Sequence, residues 1–368
     1  VPSTGSATQT ACAAGTYQPS TGQSSCTDAS AGYYVGTTGS TTQTACSAGT
    51  YNPNTASTSS SACTDASAGY YVPSTGSATQ TACAAGTYQS SIGQTSCADA
   101  SAGYYVDTTA STTQTACALG TYQPSTGQSS CTDSSAGYYI DTTASTTQTA
   151  CAVGTYQPST GQSSCIDADA GYYVPSTGSA TQTACALGTY QSSIGQASCA
   201  DASAGYYVDT TASTTQTACA AGTYQSSTGQ SSCTDASAGY YVDTTASTTQ
   251  TACASGTYNP NTASTSSSAC TDASAGYYVP STGSATQTAC AAGTYQSSTG
   301  QSSCTDASAG YYVDTTASTT QTACAAGTYQ SSTGQSSCTD ASAGYYVPST
   351  GSATQTACAA GTYQSSTG

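Results

Sequence analysis

Residues 12–28 read CAAGTYQPSTGQSSCTD, and residues 29–45 read ASAGYYVGTTGSTTQTA. Written one above the other, Ala14 meets Ala31, Gly15 meets Gly32, Tyr17 meets Tyr34, and the turn glycines Gly22 and Gly39 coincide. Two halves of equal length, 12–28 and 29–45, therefore make one repeating unit. Cys12 falls over Ala29 and Cys26 over Gln43, so both cysteines of the first half are missing together from the second.

Self-similarity at a fixed period is the signature of a repeat architecture, in which one unit buries its apolar face only against its neighbours. The units run 1–34, 35–71, 72–105, 106–139, 140–173, 174–207, 208–241, 242–278, 279–312 and 313–346, with a partial one at 347–368. Two of them, 35–71 and 242–278, are longer than the rest and share the edit NPNTASTSSSAC in place of QPSTGQSSC. The same difference in both places puts the insertion in a loop, because an insertion within paired backbone would shift the register. The chain starts at a unit boundary with Val1 and stops inside a unit at Gly368, which reads as an excerpt from a longer array.

The joint loss of two cysteines from each second half points to pairing within the first half, since losing one partner alone would leave an unpaired thiol. The expected bonds are Cys12–Cys26, Cys46–Cys63, Cys83–Cys97, Cys117–Cys131, Cys151–Cys165, Cys185–Cys199, Cys219–Cys233, Cys253–Cys270, Cys290–Cys304 and Cys324–Cys338. The odd cysteine, Cys358, then awaits a partner beyond Gly368. The rival scheme joins units, for example Cys26 to Cys46. Regular, paired cysteines in a chain poor in large apolar residues fit an oxidising compartment.

Comparison of copies within the chain separates the glycines. Every copy of Gly15 and Gly32 is Gly and every copy of Tyr17 and Tyr34 is Tyr, whereas Gly22 becomes Ala56 and Ala263 and Gly5 becomes Ala110 and its equivalents. Gly15 and Gly32 are thus expected to need positive φ or a close backbone approach, and Gly22 to close a type I turn where Gly is only favoured. Pro2 alternates with Asp107 at one site, as at a turn start. Frequent Gly, Ser, Thr and Pro without an apolar stripe of helical period argue against helix. Each half reads as an extended segment around Gly-x-Tyr, a turn, and a second extended segment such as TQT. The expected fold is a β-rich, irregular repeat protein, an elongated disulfide-stapled rod. Three tyrosines and one disulfide are too little to order a whole unit by itself, so a unit should need its neighbours.

Composition removes whole classes of function. The chain has no Lys, Arg or His, and its sixteen acidic residues are all Asp, for a net charge of -16. It cannot neutralise phosphates, so nucleic acid is not an expected partner, and an anionic membrane surface would repel it. No apolar run approaches the roughly 18–20 residues of a membrane span. Without His, Glu or Lys there is no general acid or base suited to neutral pH, and no Ser-His-Asp or Cys-His arrangement. The cysteines never form CxxC pairs, and Asp167 and Asp169 are the only close acidic pair, so neither zinc nor calcium is expected. The expectation is no enzyme, no catalytic residue, no metal and no cofactor.

The pattern C-x-x-G-T-Y-x-x-x-x-G-x-x-x-C, carried by Cys12, Gly15, Thr16, Tyr17, Gly22 and Cys26, resembles the cysteine-rich repeats named after ephrin-receptor ectodomains, which also occur in long arrays of microbial surface proteins. The resemblance recurs along the chain. It implies an extracellular, disulfide-stapled array used for structure or contact, with no catalytic activity and no particular ligand. Such repeats usually place a further cysteine where Ala29 stands, and here this chain departs from them.

More than a third of the first unit, 1–34, is Ser or Thr. Clusters such as STTQT and STGQSS near Pro suit O-glycosylation, with Thr8, Thr10, Ser20, Thr21, Ser24 and Ser25 as candidates; the bland alternative is that these hydroxyls only hydrate the surface. Tyr33 and Tyr34 are consecutive, so on an extended segment they should face opposite ways. Tyr34, in register with Tyr17, is then the packing residue, and Tyr33 the outer one. These readings converge on a structural component of an extracellular filament or cell-surface stalk, self-associating or continued end to end, carrying covalent glycans. The rivals are an adhesin that grips carbohydrate or a surface through exposed tyrosines, and, more remotely, an ice-binding array of threonines. For the last, the two long units interrupt a regular rank.

Overall fold

The computed structural model describes Gly5 and residues 8–368. Pro2 and Val1 lie outside the described residues. Each half folds as one antiparallel hairpin of two-residue strands. In the first cysteine-bearing half, the cystine half, β1 (Thr16–Tyr17) pairs with β2 (Thr27–Asp28) in the register Thr16 to Asp28 and Tyr17 to Thr27. In the half that follows, the glutamine half, β3 (Tyr33–Tyr34) pairs with β4 (Thr44–Ala45), Tyr33 to Ala45 and Tyr34 to Thr44. The same two hairpins alternate along the described chain. Among the described residues helix is confined to one-turn 3-10 segments at Ser60–Ala62 and Ser267–Ala269, both in the long units. Those units still pair Thr50 with Asp65 and Thr257 with Asp272, so the insertion swells the loop and leaves the register intact.

An isolated two-stranded hairpin is marginal in water. Here each is held by backbone bonds to the next half. The chain forms two compact units: the first comprises Val1–Asp169, Tyr173–Thr183 and Ile194–Ser198, the second Ala170–Tyr172, Ala184–Ser193 and Cys199–Gly368. Within the first, Gly86 N donates to Val106 O (2.7 Å), Gln89 N to Ser111 O (3.1 Å), Ala100 N to Gly86 O (2.8 Å) and Ala110 N to Cys83 O (2.8 Å). The next pair of halves repeats this set through Gly103 N to Gln123 O, Val106 N to Gln128 O, Cys117 N to Gly103 O and Gly127 N to Ala100 O. Within the second unit the same four bonds run from Gly222, Gln225, Ala236 and Ala246 to Val242, Ser247, Gly222 and Cys219. A half inside either unit thus has two donors and two acceptors engaged by its neighbour on each side, and the polar backbone that short strands leave open is satisfied.

What lies inside is small. The buried positions are the cysteine that opens a cystine half, the alanine that opens a glutamine half, the following glycine, and the residue after the tyrosine. Cys83, Ala100 and Val72 are fully enclosed, and Val35 is 2 % exposed. In cystine halves the valine site holds Gln or Asn, and its amide is used rather than wasted. Gln123 Nε2 donates to Ser130 O (2.9 Å) while its Oε1 accepts from Ser125 N (3.1 Å). In a long unit the buried Asn52 donates to Tyr33 O and Ser57 Oγ and accepts from Asn54 N. Among the described residues no buried side-chain nitrogen or oxygen lacks a partner, as a core this polar requires.

Gly32 takes φ +87°, and a Cβ there would fall into the carbonyl of Gly76, in the turn of the next glutamine half. Gly86 lies the same way under Gly127 of the next cystine half. Halves of one kind therefore rest on each other, turn over glycine, while halves of different kind are joined by the backbone bonds. The turn residue itself corrects the sequence expectation for Gly22. It adopts φ +76°, and the alanines that replace such glycines, including Ala56 (φ 55°), Ala110 (φ 58°) and Ala263 (φ 53°), are left-handed as well. A left-handed alanine costs roughly 1–2 kcal/mol. Replacing Ala110 with Gly should therefore stabilise the array by about 1 kcal/mol, read as a raised thermal midpoint by circular dichroism. A lowered midpoint would mean that the Ala110 methyl contributes more by contact than its backbone loses.

Candidate functional site

The structure bonds Cys12 to Cys26, Cys46 to Cys63, Cys83 to Cys97, Cys117 to Cys131, Cys151 to Cys165, Cys185 to Cys199, Cys219 to Cys233, Cys253 to Cys270, Cys290 to Cys304 and Cys324 to Cys338. Each bond spans 14 residues, or 17 in the long units, with Cα atoms 5.6–5.8 Å apart. Cys358 makes no disulfide within residues 1–368 and is partly exposed. In the glutamine halves a hydrogen bond stands where the disulfide would be. Ser30 N donates to Gln43 Oε1 (2.8 Å), and the same bond joins Ser67 to Gln80 and Ser101 to Gln114. Gln43 aligns with Cys26, and Ser30 directly follows Ala29, the alanine aligned with Cys12. One loop closure is made in two chemistries, covalent in one half and polar in the other.

The hydroxyl groups fall into two sets. One makes turns: Thr16 Oγ1 donates to Ala13 O (2.9 Å), and Ser40 Oγ donates to Thr37 O (2.8 Å) beside the Thr37 hydroxyl. Their equivalents do so along the chain, as at Thr87 and Ser111. The other set points outward. Thr8, Thr10, Ser20, Thr21, Ser24 and Ser25 are all exposed. Ser20 and Ser25 take part in the loop through their backbones, Ser20 N donating to Gln18 Oε1 and Ser25 O accepting from Gln18 Nε2. The threonines of TQT, such as Thr42 and Thr44, are exposed in every copy, with Gln43 between them turned to its hydrogen bond. Sequence alone did not distinguish these sets; the signal available was that TQT never varies, whereas Thr27, its partner in the cystine half, is Ala98 or Ile166 elsewhere.

The tyrosines do not divide as expected. Tyr17, Tyr33 and Tyr34 are all half-buried. Tyr33 is no free outer residue: a Cβ on Gly76 would come 2.7 Å from its hydroxyl oxygen, so its ring lies against the turn of the next glutamine half. The strands are only two residues long and covered by turns from further along, so the two-faced alternation of an open strand does not apply. Tyr345 and Tyr346, which have little chain after them, are 40 % and 45 % exposed, consistent with later halves supplying the cover.

Chemistry-bearing clusters are absent from the described surface. Among the described residues no group of three His, Cys, Asp or Glu comes together as metal ligands. A hollow of about 610 Å³ beside the first cystine is lined by amides, hydroxyls and small side chains such as Gln9, Thr10, Gln18, Gln23 and Thr41, with no charged group. Among the described residues no helix is long and apolar enough to cross a membrane.

Comparison with known proteins adds one finding to this repeat geometry. A family model described as tyrosine-protein kinase ephrin type A/B receptor-like matches residues 69–117 and 171–219. Each stretch runs from the glycine of one glutamine half, Gly69 or Gly171, to the opening cysteine of a later cystine half, Cys117 or Cys219. The repeats are similar to that family over these two stretches, less than half of the chain. A comparison with curated proteins returns no match.

Proposed function

We propose that this chain is a structural component of an extracellular filament or cell-surface stalk, catalytically inert and coated with O-linked glycans on its outward Ser and Thr side chains. The observation that carries the reading is the repetition itself: each half uses its backbone to bind the next half and presents hydroxyls, amides and scattered carboxylates outward. Such a design propagates a structure rather than building one concave site. Ten cystines and the similarity to an extracellular receptor repeat support a location outside the cytosol. The half-burial of Tyr33 weakens the adhesin alternative, since the tyrosines that would grip a surface are occupied by packing.

Two measurements on native material test this reading. Non-reduced chymotryptic peptides, cut after the tyrosines, should carry sugar mass on clusters such as those around Thr42 and Thr44. Bare peptides would remove the glycan. Negative-stain microscopy should show filaments; discrete single chains at high concentration would remove the fibre.

A further inference from the structure

A second hollow, of about 320 Å³, opens at the seam between a glutamine half and the cystine half that follows it. Tyr105 and Ala116 line it from the first, and Ala118, Thr121, Ser130 and Cys131 from the second. All six lie in the first compact unit. Two alanines beside a tyrosine leave the room. The same residue types recur one repeat later at Tyr139, Ala150, Ala152, Thr155, Ser164 and Cys165, and again in the second compact unit between Tyr207 and Cys233. A volume of this size stands at the lower end of ligand sites, which run from about 300 to 1,000 Å³.

The chemistry of the lining narrows the occupant. None of the six residues is charged. Tyr105 is half-buried and Ser130 is exposed. The Thr121 hydroxyl is used, donating to Ala118 O (2.9 Å). At Ser130 the backbone is held, its carbonyl accepting from Gln123 Nε2 (2.9 Å). Among the described residues, however, neither the Ser130 hydroxyl nor the Tyr105 hydroxyl has a hydrogen-bond partner. An ion would find no opposite charge here, and an aliphatic side chain would answer the ring and leave both hydroxyls idle. A pyranose matches the lining, with C–H faces for the tyrosine ring and hydroxyls at its edge for the polar tips.

We infer that this hollow seats the first sugar of an O-linked glycan carried by Ser130, with the sugar ring laid against Tyr105; the inference rests on the glycan reading above and assigns it a site. Ser130 is the equivalent of Ser25. In the transfer, Ser130 Oγ bonds to the anomeric carbon of a nucleotide-activated sugar as the bond from that carbon to phosphate breaks. The nucleotide leaves with the electron pair, and the hydroxyl proton passes to a base of the glycosyltransferase. The tether matters, because an open hollow this small holds a free monosaccharide weakly, whereas a sugar attached at its wall binds intramolecularly. The two long units supply an internal control: Ala62 and Ala269 stand where the serine would be, so their seams have no attachment point.

The test compares the native chain with the same chain produced with its cystines but without glycosyl transfer. Site-localising mass spectrometry of the chymotryptic peptide 123–138 should place sugar on Ser130, and the equivalent peptide should carry it on Ser164. Iodination of the folded chains then reads the seating. Tyr105 and its equivalents should react several-fold more slowly in the native chain, while Tyr34, whose seam faces Ala62, should react at the same rate in both. Sugar confined to other hydroxyls, such as Thr113 and Thr115, would overturn the inference and leave the glycan coat standing. Absence of sugar anywhere would remove both. Sugar on Ser130 with an unchanged Tyr105 rate, or with Tyr34 slowed equally, would overturn the seating of the ring.

Discussion

Gly137→Ala should cost about 2–5 kcal/mol, the sum of roughly 1–2 for a left-handed alanine and roughly 1–3 for overpacking. Gly137 has φ +85°, and an added Cβ would run into the Gly178 carbonyl, with the Gly178 carbonyl carbon 2.7 Å away. That turn cannot retreat freely, because Gly178 N is bonded to Cys151 O (2.8 Å). The obstacle is backbone, so no rotamer change relieves it. Gly127 supplies the comparison: it has φ +72°, but an added Cβ would meet nothing nearer than the Asp99 carboxyl group at 3.5 Å, an ordinary contact. Gly127→Ala should therefore show the conformational cost alone, about 1–2 kcal/mol. Urea unfolding of the two variants gives the difference directly. Equal losses would mean that the turn-over-glycine contact contributes no steric constraint.

Removing the cystine at Cys151 and Cys165 has the second large expected effect. Both residues as Ala should cost about 3 kcal/mol, the loop-closure value for a loop of this length, since the bond spans 14 residues. The glutamine halves suggest a partial repair. Cys151→Ala/Cys165→Gln copies the arrangement in which Ala29 is fully buried and Gln43 Oε1 accepts from Ser30 N. The donor in the repaired half would be Ala152 N. One net hydrogen bond is worth about 1 kcal/mol, so the Ala/Gln variant should recover about that much over Ala/Ala. Denaturant midpoints of the parent and both variants check the ordering. If Ala/Gln is no more stable than Ala/Ala, the glutamine bond is incidental to loop closure.

The alignment of 12–28 over 29–45 made the half-repeat, its hairpin and the loop position of the insertion legible, because these are set by local periodicity and turn chemistry. The vertical contacts were not legible. Gly86 bonds to Val106 and rests under Gly127, partners fixed by how successive halves are placed in space. The outward assignment of Tyr33 fails for the same reason: an extended segment alternates, but a turn from the next glutamine half covers it. The left-handed turn was hidden by its alanines, which read as evidence of freedom when they are tolerated strain. The burial of Ala29 was not legible because alanine is frequent at exposed positions of this chain too and carries little apolar surface to mark a core. Its copies were nevertheless informative, since all are Ala except Ser134, which is buried and hydrogen-bonded to Gln162 N.

Because a half engages only its immediate neighbours and the next half of its own kind, the fold has no memory of its length. Adding or losing a whole unit by unequal recombination restores every contact at the junction. Losing a single half instead would seat one cystine half directly against another, placing Gln opposite the carbonyl and core site that Val fills in a glutamine half. Copy number in such a gene is thus free to drift, but only in steps of two hairpins.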